Sequence, residues 1–302
     1  MPTLASTDSP HIKETIMTGT AHKVWFITGA SRGFGLLTAQ QALARGDCVV
    51  ATARDPLSVT AVLGAHPNLL ALRLDVKLEA QAVSAAQQAM ARFGRIDVLV
   101  NNAGYGLLGA VEEASAEEVR SLYDTNVFGL LNVTRAVLPA MRKQGGGHVI
   151  NISSVGGYSA FAGWGLYSST KFAVEGISEA LAMEMAPLGI QVTVVEPGFF
   201  RTDFLDASSL VSTRERIEDY AATVGAMREF AAGVNHQQPG DPAKLAGALL
   251  QLADSARPPV RLQLGSDTVE RVRAKNQLVE TEMAQWLELA VSTDFKPQKK
   301  AA

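Results

Sequence analysis

Tyr167 and Lys171 stand four residues apart in a helical stretch, Tyr167–Ala186, and so share one helix face. A phenol ionises near pH ~10 and is a poor base at neutral pH. A lysine charge at about 5 Å, with an effective dielectric of ~20, favours tyrosinate by roughly 3 kcal/mol, or about 2 pKa units. Such a pair can pass a proton to or from an oxygen whose carbon gains or loses charge. Upstream lie two serines, Ser153-Ser154, at the end of an apolar run. Neighbours on a strand point to opposite faces, so only one of them can share a site with the tyrosine. There its hydroxyl would donate to the charge developing on the reacting oxygen. A third cluster is Thr28-Gly29-Ala30-Ser31-Arg32-Gly33-Phe34-Gly35, between an apolar run and a helical pattern. Glycines at such a turn let the backbone approach a pyrophosphate, which the helix N-terminus stabilises. The spacing is Gly-x-x-x-Gly-x-Gly rather than the usual dinucleotide fingerprint Gly-x-Gly-x-x-Gly.

The elements that must position these groups follow from the rhythm of the chain. Short apolar runs at Val24–Thr28, Cys48–Ala53, Leu69–Leu74, Val98–Val100, His148–Ile152 and Val192–Glu196 read as strands. Several are apolar on both faces, as in a parallel sheet covered by helices on both sides. Between them lie helical patterns at Leu36–Arg45, Glu79–Phe93, Ala116–Met141 and Tyr167–Ala186. The expected fold is α/β, a doubly wound parallel sheet of Rossmann type with six to seven strands and helices on both faces. Val260–Leu264 is the candidate seventh strand, followed by a long helix from Thr268 to about Leu289. Residues 1–20 read as a flexible tail and 21–302 as one domain. Within it, Phe199–Gly240 has helical patches but no clear strand, and such an irregular segment beside a ligand end is expected to be a substrate lid.

In order along the chain, these motifs resemble the short-chain dehydrogenase/reductase family. The resemblance is carried by the glycine turn, Asn101-Asn102-Ala103-Gly104, Asn126 in Asp124–Gly129, Ser153-Ser154, Tyr167-Ser168-Ser169-Thr170-Lys171 and Pro197-Gly198 with Thr202. The C-terminal segment is most similar to the branch containing 17β-hydroxysteroid-dehydrogenase-like reductases. The resemblance implies hydride transfer between a nicotinamide cofactor and a ketone or secondary alcohol. Its catalytic set falls on Asn126, Ser154, Tyr167 and Lys171, with Ser154 preferred because it lies thirteen residues before the tyrosine. Asn126 would support a water near the lysine, and Lys171 would also hold the nicotinamide ribose. The implied cofactor contacts are Gly29, Ser31, Arg32, Gly33, Phe34, Gly35, Arg54, Asp75, Val76, Asn102, Ala103, Gly104, Tyr167, Lys171, Pro197, Gly198, Phe200 and Thr202. A homo-oligomer, with a dimer favoured, is implied through Ala116–Met141 and Tyr167–Ala186.

NAD-preferring members end the second strand with an acid that binds the adenine ribose. Here that position is Ala53, followed by Arg54, while Arg32 precedes Gly33. Two guanidinium forks suit a 2′-phosphate, so the expected cofactor is NADP(H). Asp55 is the competing acid, one residue further on. Tyr158, Phe161, Trp164, Phe199, Phe200, Phe204 and Leu205 suggest an apolar carbonyl or alcohol substrate. The alternative is an NADPH-binding regulatory protein without turnover, for which an acid/base set would be superfluous. With 302 residues, 47% hydrophobic, and a net charge of −3, the chain has no general field for nucleic acid or anionic lipid. No apolar run reaches the ~20 residues of a membrane span, and a cytoplasmic enzyme is expected. The five histidines show neither metal-ligand spacing nor a neighbouring carboxylate pattern, so no metal is expected.

Overall fold

Val24-Trp-Phe-Ile-Thr28 is buried along its whole length, which only a central strand with both faces covered can be. The computed structural model describes residues 22–295, so the expected tail at 1–20 lies outside the described residues. The strands are β1 (Val24–Thr28), β2 (Cys48–Ala53), β3 (Leu69–Arg73), β4 (Val98–Asn101), β5 (Gly106–Leu108), β6 (Gly147–Ile152), β7 (Ile190–Pro197), β8 (Leu210–Ser212) and β9 (Arg261–Leu264). The helices are α1 (Gly33–Ala44), α2 (Leu57–Leu63), α3 (Glu79–Phe93), α4 (Ala116–Tyr123), α5 (Leu130–Gln144), α6 (Gly165–Met185), α7 (Ala226–Val234), α8 (Pro242–Asp254) and α9 (Ser266–Ser292).

Seven strands form one parallel sheet in the order β3-β2-β1-β4-β6-β7-β9. Alternate side chains feed two cores. Trp25, Ile27, Val49 and Val100 meet α1 and α8 on one face. Phe26, Val50, Leu99 and Val149 meet α3 and α5 on the other. From β1 the chain runs outward through β2 to β3, then crosses back to β4. The crevice where the order reverses is the topological switch point at which such sheets bind ligands.

Two expectations are corrected. The single helix expected over Ala116–Met141 is interrupted by a π-helical turn, Asp124–Gly129, between α4 and α5. The wider turn lets Asn126 clamp the loop before β5: Nδ2 donates to the Tyr105 carbonyl at 2.9 Å, and Oδ1 accepts from the Tyr105 N–H at 3.1 Å. Gly129 is needed there, since a Cβ would lie 2.6 Å from the Val76 side chain. Phe199–Gly240, expected to be strandless, contains β8, which pairs in parallel with β5 as a separate two-stranded sheet. The segment has a closed neck, with Arg201 N–H donating to the Gly240 carbonyl at 2.9 Å and Gly240 N–H to the Phe199 carbonyl at 3.0 Å.

Candidate active site

At the carboxyl end of β1 the chain turns through Gly29 (φ +64°) and Gly33 (φ +55°), left-handed positions that glycine adopts without strain. The Asn102 amide braces this turn, donating to the carbonyls of Thr28 and Gly29 at 2.9 and 3.1 Å. The Thr28 hydroxyl in return accepts from the N–H groups of Asn102 and Ala103. Gly35 lies beneath the turn and does not line the cavity. A Cβ there would come within 2.6 Å of the Gly29 carbonyl, so its role is close packing rather than ligand contact. No side chain caps α1, and its first turn holds no acid. Its uncompensated positive end therefore suits a pyrophosphate.

A cavity of about 630 Å³ runs from this turn to Tyr167 and Lys171. It is lined by all the expected cofactor contacts except Gly35, and by Ser154. Arg54 is exposed at the end of β2, while Asp55 Oδ1 accepts from the Leu57 N–H at the start of α2. Asp55 thus serves the backbone and does not line the cavity. Arg32 is already engaged: its Nη2 donates to the Ser208 carbonyl at 2.7 Å, tying the phosphate turn to the 199–240 segment. Asp75 Oδ1 accepts from the Lys77 N–H, so one carboxylate oxygen shapes the turn after β3. Asn132, which the motifs did not single out, donates to the Val76 carbonyl at 3.0 Å and fixes that backbone.

Ser154, Tyr167 and Lys171 converge from the end of β6 and from α6. Ser154 caps a 3₁₀ turn, its Oγ accepting from the Gly156 N–H at 3.0 Å, which leaves its proton available to another acceptor. Tyr167 sits on the first turn of α6, in contact with Trp164 and Phe204 at ring-centroid distances of 5.6 Å each. Lys171 Nζ lies 5.7 Å from the Tyr167 ring centroid and donates to the Ile152 carbonyl at 2.9 Å. Ile152 was not foreseen as a partner. The expected lowering of the tyrosine pKa is not what the protein alone produces. Burial pushes Tyr167 up to about 12, and the nearby Ser154 hydroxyl only partly opposes it. Burial likewise pushes Lys171 down to about 8, with Glu175 pulling the other way. Attraction between the two charges favours their ionised forms, but the cost of desolvating each outweighs it.

Asn126 is buried behind the cavity and does not line it. A carbon added at Gly104 would lie 3.1 Å from Asn126 Oδ1 and 3.7 Å from Lys171 Nζ, so the two groups border the same space. Ser153 also lines this cavity, and its Oγ is buried near Gly157, beside Glu175 one helical turn beyond Lys171. Burial pushes the Glu175 carboxyl up to about 7, against the pull of the Ser153 hydroxyl, with Glu196 adding to the rise and Arg261 opposing it.

Phe161, Trp164, Phe199, Phe204 and Leu205 wall the outer cavity. Tyr158 does not join them; its hydroxyl donates to Asn276 on α9 at 2.5 Å. Under the wall, Glu113 is buried and accepts from Arg228 Nη2 at 2.5 Å and from the N–H groups of Ala110 and Ile217. This knot staples the 199–240 segment to the loop after β5. The same segment brings His236 Nε2 to 3.1 Å from Asp206, with Asp203 nearby, a carboxylate neighbourhood its sequence position did not suggest. Asn235 also donates to Asp206, so this exposed group closes on itself through hydrogen bonds.

A parallel sheet with a glycine turn at its switch point and a Ser-Tyr-Lys constellation facing that turn defines a dinucleotide-dependent oxidoreductase. Residues 23–211 match the family model of short chain dehydrogenases, and the chain belongs to that family. It is 38% identical over 273 residues to Oxidoreductase BOA17 of Botryotinia fuckeliana, covering 90% of this chain and 99% of that one. It is 40% identical over 247 residues to a 3-ketodihydrosphingosine reductase of Bacteroides thetaiotaomicron, covering 80% and 88% respectively. A short-chain dehydrogenase structure from Streptomyces avermitilis superimposes with a TM-score of 0.85 at 43% identity, covering 91% of this chain and all of that one. The protein is thus an oxidoreductase that works with a nicotinamide dinucleotide. None of its described helices is long and apolar enough to cross a membrane.

Proposed function

We propose that the protein is an NADP(H)-dependent oxidoreductase interconverting an apolar ketone and its secondary alcohol, with Tyr167 as acid/base. The observation that carries this reading is that Ser154, Tyr167 and Lys171 line one end of the cavity whose other end holds the glycine turn and Arg54. A bound dinucleotide would supply a hydride to the carbonyl carbon, or in its oxidised form accept one from the alcohol carbon. Ser154 donates a hydrogen bond to the substrate oxygen, and Tyr167 gives that oxygen its proton in reduction or takes it in oxidation.

With a phenol at about 12, Tyr167 is fully protonated at neutral pH, the state that reduction requires. Oxidation needs the tyrosinate. A charged Lys171, its Nζ 5.7 Å from the ring centroid, favours the tyrosinate and so works against the effect of burial. Lys171 would hold the ribose of a bound dinucleotide, and Asn126 borders the space beside the ammonium. Arg54, with Arg32 released from Ser208, would hold a 2′-phosphate, while the acid Asp55 is committed to α2.

The aromatic wall suits an apolar substrate, and the relative named 3-ketodihydrosphingosine reductase is in keeping with a ketone. A dimer through α4–α5 and α6 would cover Phe128 and Phe172, which are exposed at 53% and 46% on that side. Following NADPH absorbance with aliphatic, aromatic and steroid ketones tests the activity. Turnover restricted to apolar ketones supports the reading. Tight NADPH binding with no turnover across the panel would favour a cofactor-sensing protein instead.

A further inference from the structure

The ammonium of Lys171 is buried, yet the partner it reaches directly is neutral: Nζ donates to the Ile152 carbonyl at 2.9 Å. A buried charge without a counter-charge is costly and gives up its proton instead. Most of the groups around it are neutral as well. They are the Tyr167 phenol on its own helix, the Ser153 hydroxyl from the end of β6 and the Asn126 amide from the π turn. The acid beside it is Glu175, four residues on and so on the same face of α6. A Cβ at Gly157 would lie 3.1 Å from Lys171 Cβ and 3.2 Å from Glu175 Oε1, with Ser153 Oγ against it too. The three side chains therefore border one small space.

Glu175 is only 6% exposed. Its Oε2 accepts from Arg261 Nε on β9 at 3.2 Å, whereas Oε1 has no hydrogen-bond partner and faces the space beside Ser153 and Lys171. Leaving a buried carboxylate oxygen unpaired is costly. A tie between β9 and α6 does not require it, because Arg261 Nη2 already pairs with the exposed Glu179. Arg261 also decides which buried acid holds charge. Its Nε is 3.9 Å from Glu196 Oε1 on β7, beyond hydrogen bonding, and Glu196 accepts instead from the neutral Gln263 at 3.1 Å. The guanidinium thus favours the ionised form of Glu175 over that of Glu196. Burial is the largest influence on both members of the Lys171–Glu175 pair. It pushes Glu175 up to about 7 and Lys171 down to about 8, so as pH rises the carboxylate ionises before the ammonium loses its proton.

We infer that Glu175 is a positioning residue for Lys171: its carboxylate, anchored to β9 by Arg261, is the counter-charge that keeps the ammonium ionised inside the site. Glu175 does not line the cavity, so it acts through Lys171 and not on the substrate. This role rests on the reading of Lys171 as the charged partner of Tyr167.

Titration of Lys171 itself, in the full-length protein, tests the role. Carbon-13 at the lysine Cε positions gives resonances that move when each amine loses its proton, and Lys171→Arg identifies the one that belongs to Lys171. Glu175→Gln keeps the side-chain volume and an acceptor for Arg261, and in it the Lys171 midpoint is expected to fall by about one unit. Glu179→Gln, which removes the exposed acid on the same arginine, should leave the midpoint in place. The alkaline limb of kcat/KM for NADPH should move down with the midpoint. Loss of a merely structural contact would lower kcat/KM at every pH without moving the limb. An unchanged Lys171 midpoint in Glu175→Gln, or an equal fall in Glu179→Gln, would overturn the assignment. Wild-type protein gives a check that needs no variant: the Lys171 carbon should show a smaller, earlier step where Glu175 ionises, and a single smooth step would also overturn it. A lowered midpoint in Glu175→Gln, in a protein that turns over no ketone, would support this role of Glu175 while counting against the reaction proposed above.

Discussion

Removing Arg54 and removing Arg32 should both weaken NADPH, but not equally. Arg54 is exposed and has no partner among the described residues, so a 2′-phosphate gains its full charge-assisted hydrogen bonds. Such a bond is worth roughly 1.5–3 kcal/mol, and Arg54→Ala is expected to raise the NADPH Kd by about 10- to 150-fold. Arg32 must first leave the Ser208 carbonyl, to which it donates at 2.7 Å. That bond joins a charged donor to a neutral, solvent-exposed carbonyl and nets about 1 kcal/mol, so Arg32→Ala should cost only about 0.5–2 kcal/mol, or roughly 2- to 30-fold. NADH lacks the phosphate and should bind both variants nearly as well as wild type. Titration calorimetry with both cofactors on all three proteins reads these numbers directly. A second signature separates the arginines. Arg32→Ala should speed amide exchange around Ser208 in the free protein, and Arg54→Ala should not. Equal weakening of NADPH and NADH by either substitution would refute the phosphate assignment, even if the enzyme reduces ketones.

The free enzyme's Lys171 is held near pH 8 by burial, and its charge is present below that value. The kcat/KM for NADPH, which reports the free enzyme, should therefore fall above about pH 8; a flat profile into the ordinary lysine range would contradict this. Glu113 is held down at about 2, because the Arg228 hydrogen bond and backbone donors outweigh the upward push of burial. Its stabilisation is complete above the ordinary glutamate range and drains away as pH falls toward 2. Glu113→Gln should cost about 3 kcal/mol at neutral pH in chemical denaturation, and the gap from wild type should narrow in acid. The 199–240 segment should exchange amide protons faster than the central strands, and slow down when NADPH and an apolar ketone bind. Exchange as slow as that of β1, with or without ligand, would show that it is no lid.

Much of this architecture was legible because its signals are local. β1, β2 and α3 begin and end where the apolar pattern predicts. Gly29, Gly33, Asn102, Ser154, Tyr167 and Lys171 are set by short motifs and all line the cavity, whereas Gly35 and Asn126, set the same way, do not. What was missed depends on contacts distant in sequence. Gly106–Leu108 and Leu210–Ser212 are too short to show a strand period, and each is a strand only because the other lies beside it. The π turn at Asn126 reflects a clamp on Tyr105, twenty-one residues away, that no helical periodicity reveals. The Arg32–Ser208 tie and the Glu113–Arg228 knot span 176 and 115 residues. The tyrosine pKa went astray for a related reason: the lysine's spacing is written in the sequence, but the desolvation of both groups comes from Trp164, Phe204 and the strands around them.

The most direct test of the account is single-turnover oxidation of NADPH by wild-type protein and by Tyr167→Phe, with the best ketone from the substrate panel. The variant should bind NADPH within a few fold of wild type while hydride transfer slows by roughly 10²–10⁴, the worth of a positioned acid. A rate for Tyr167→Phe close to that of wild type would contradict it.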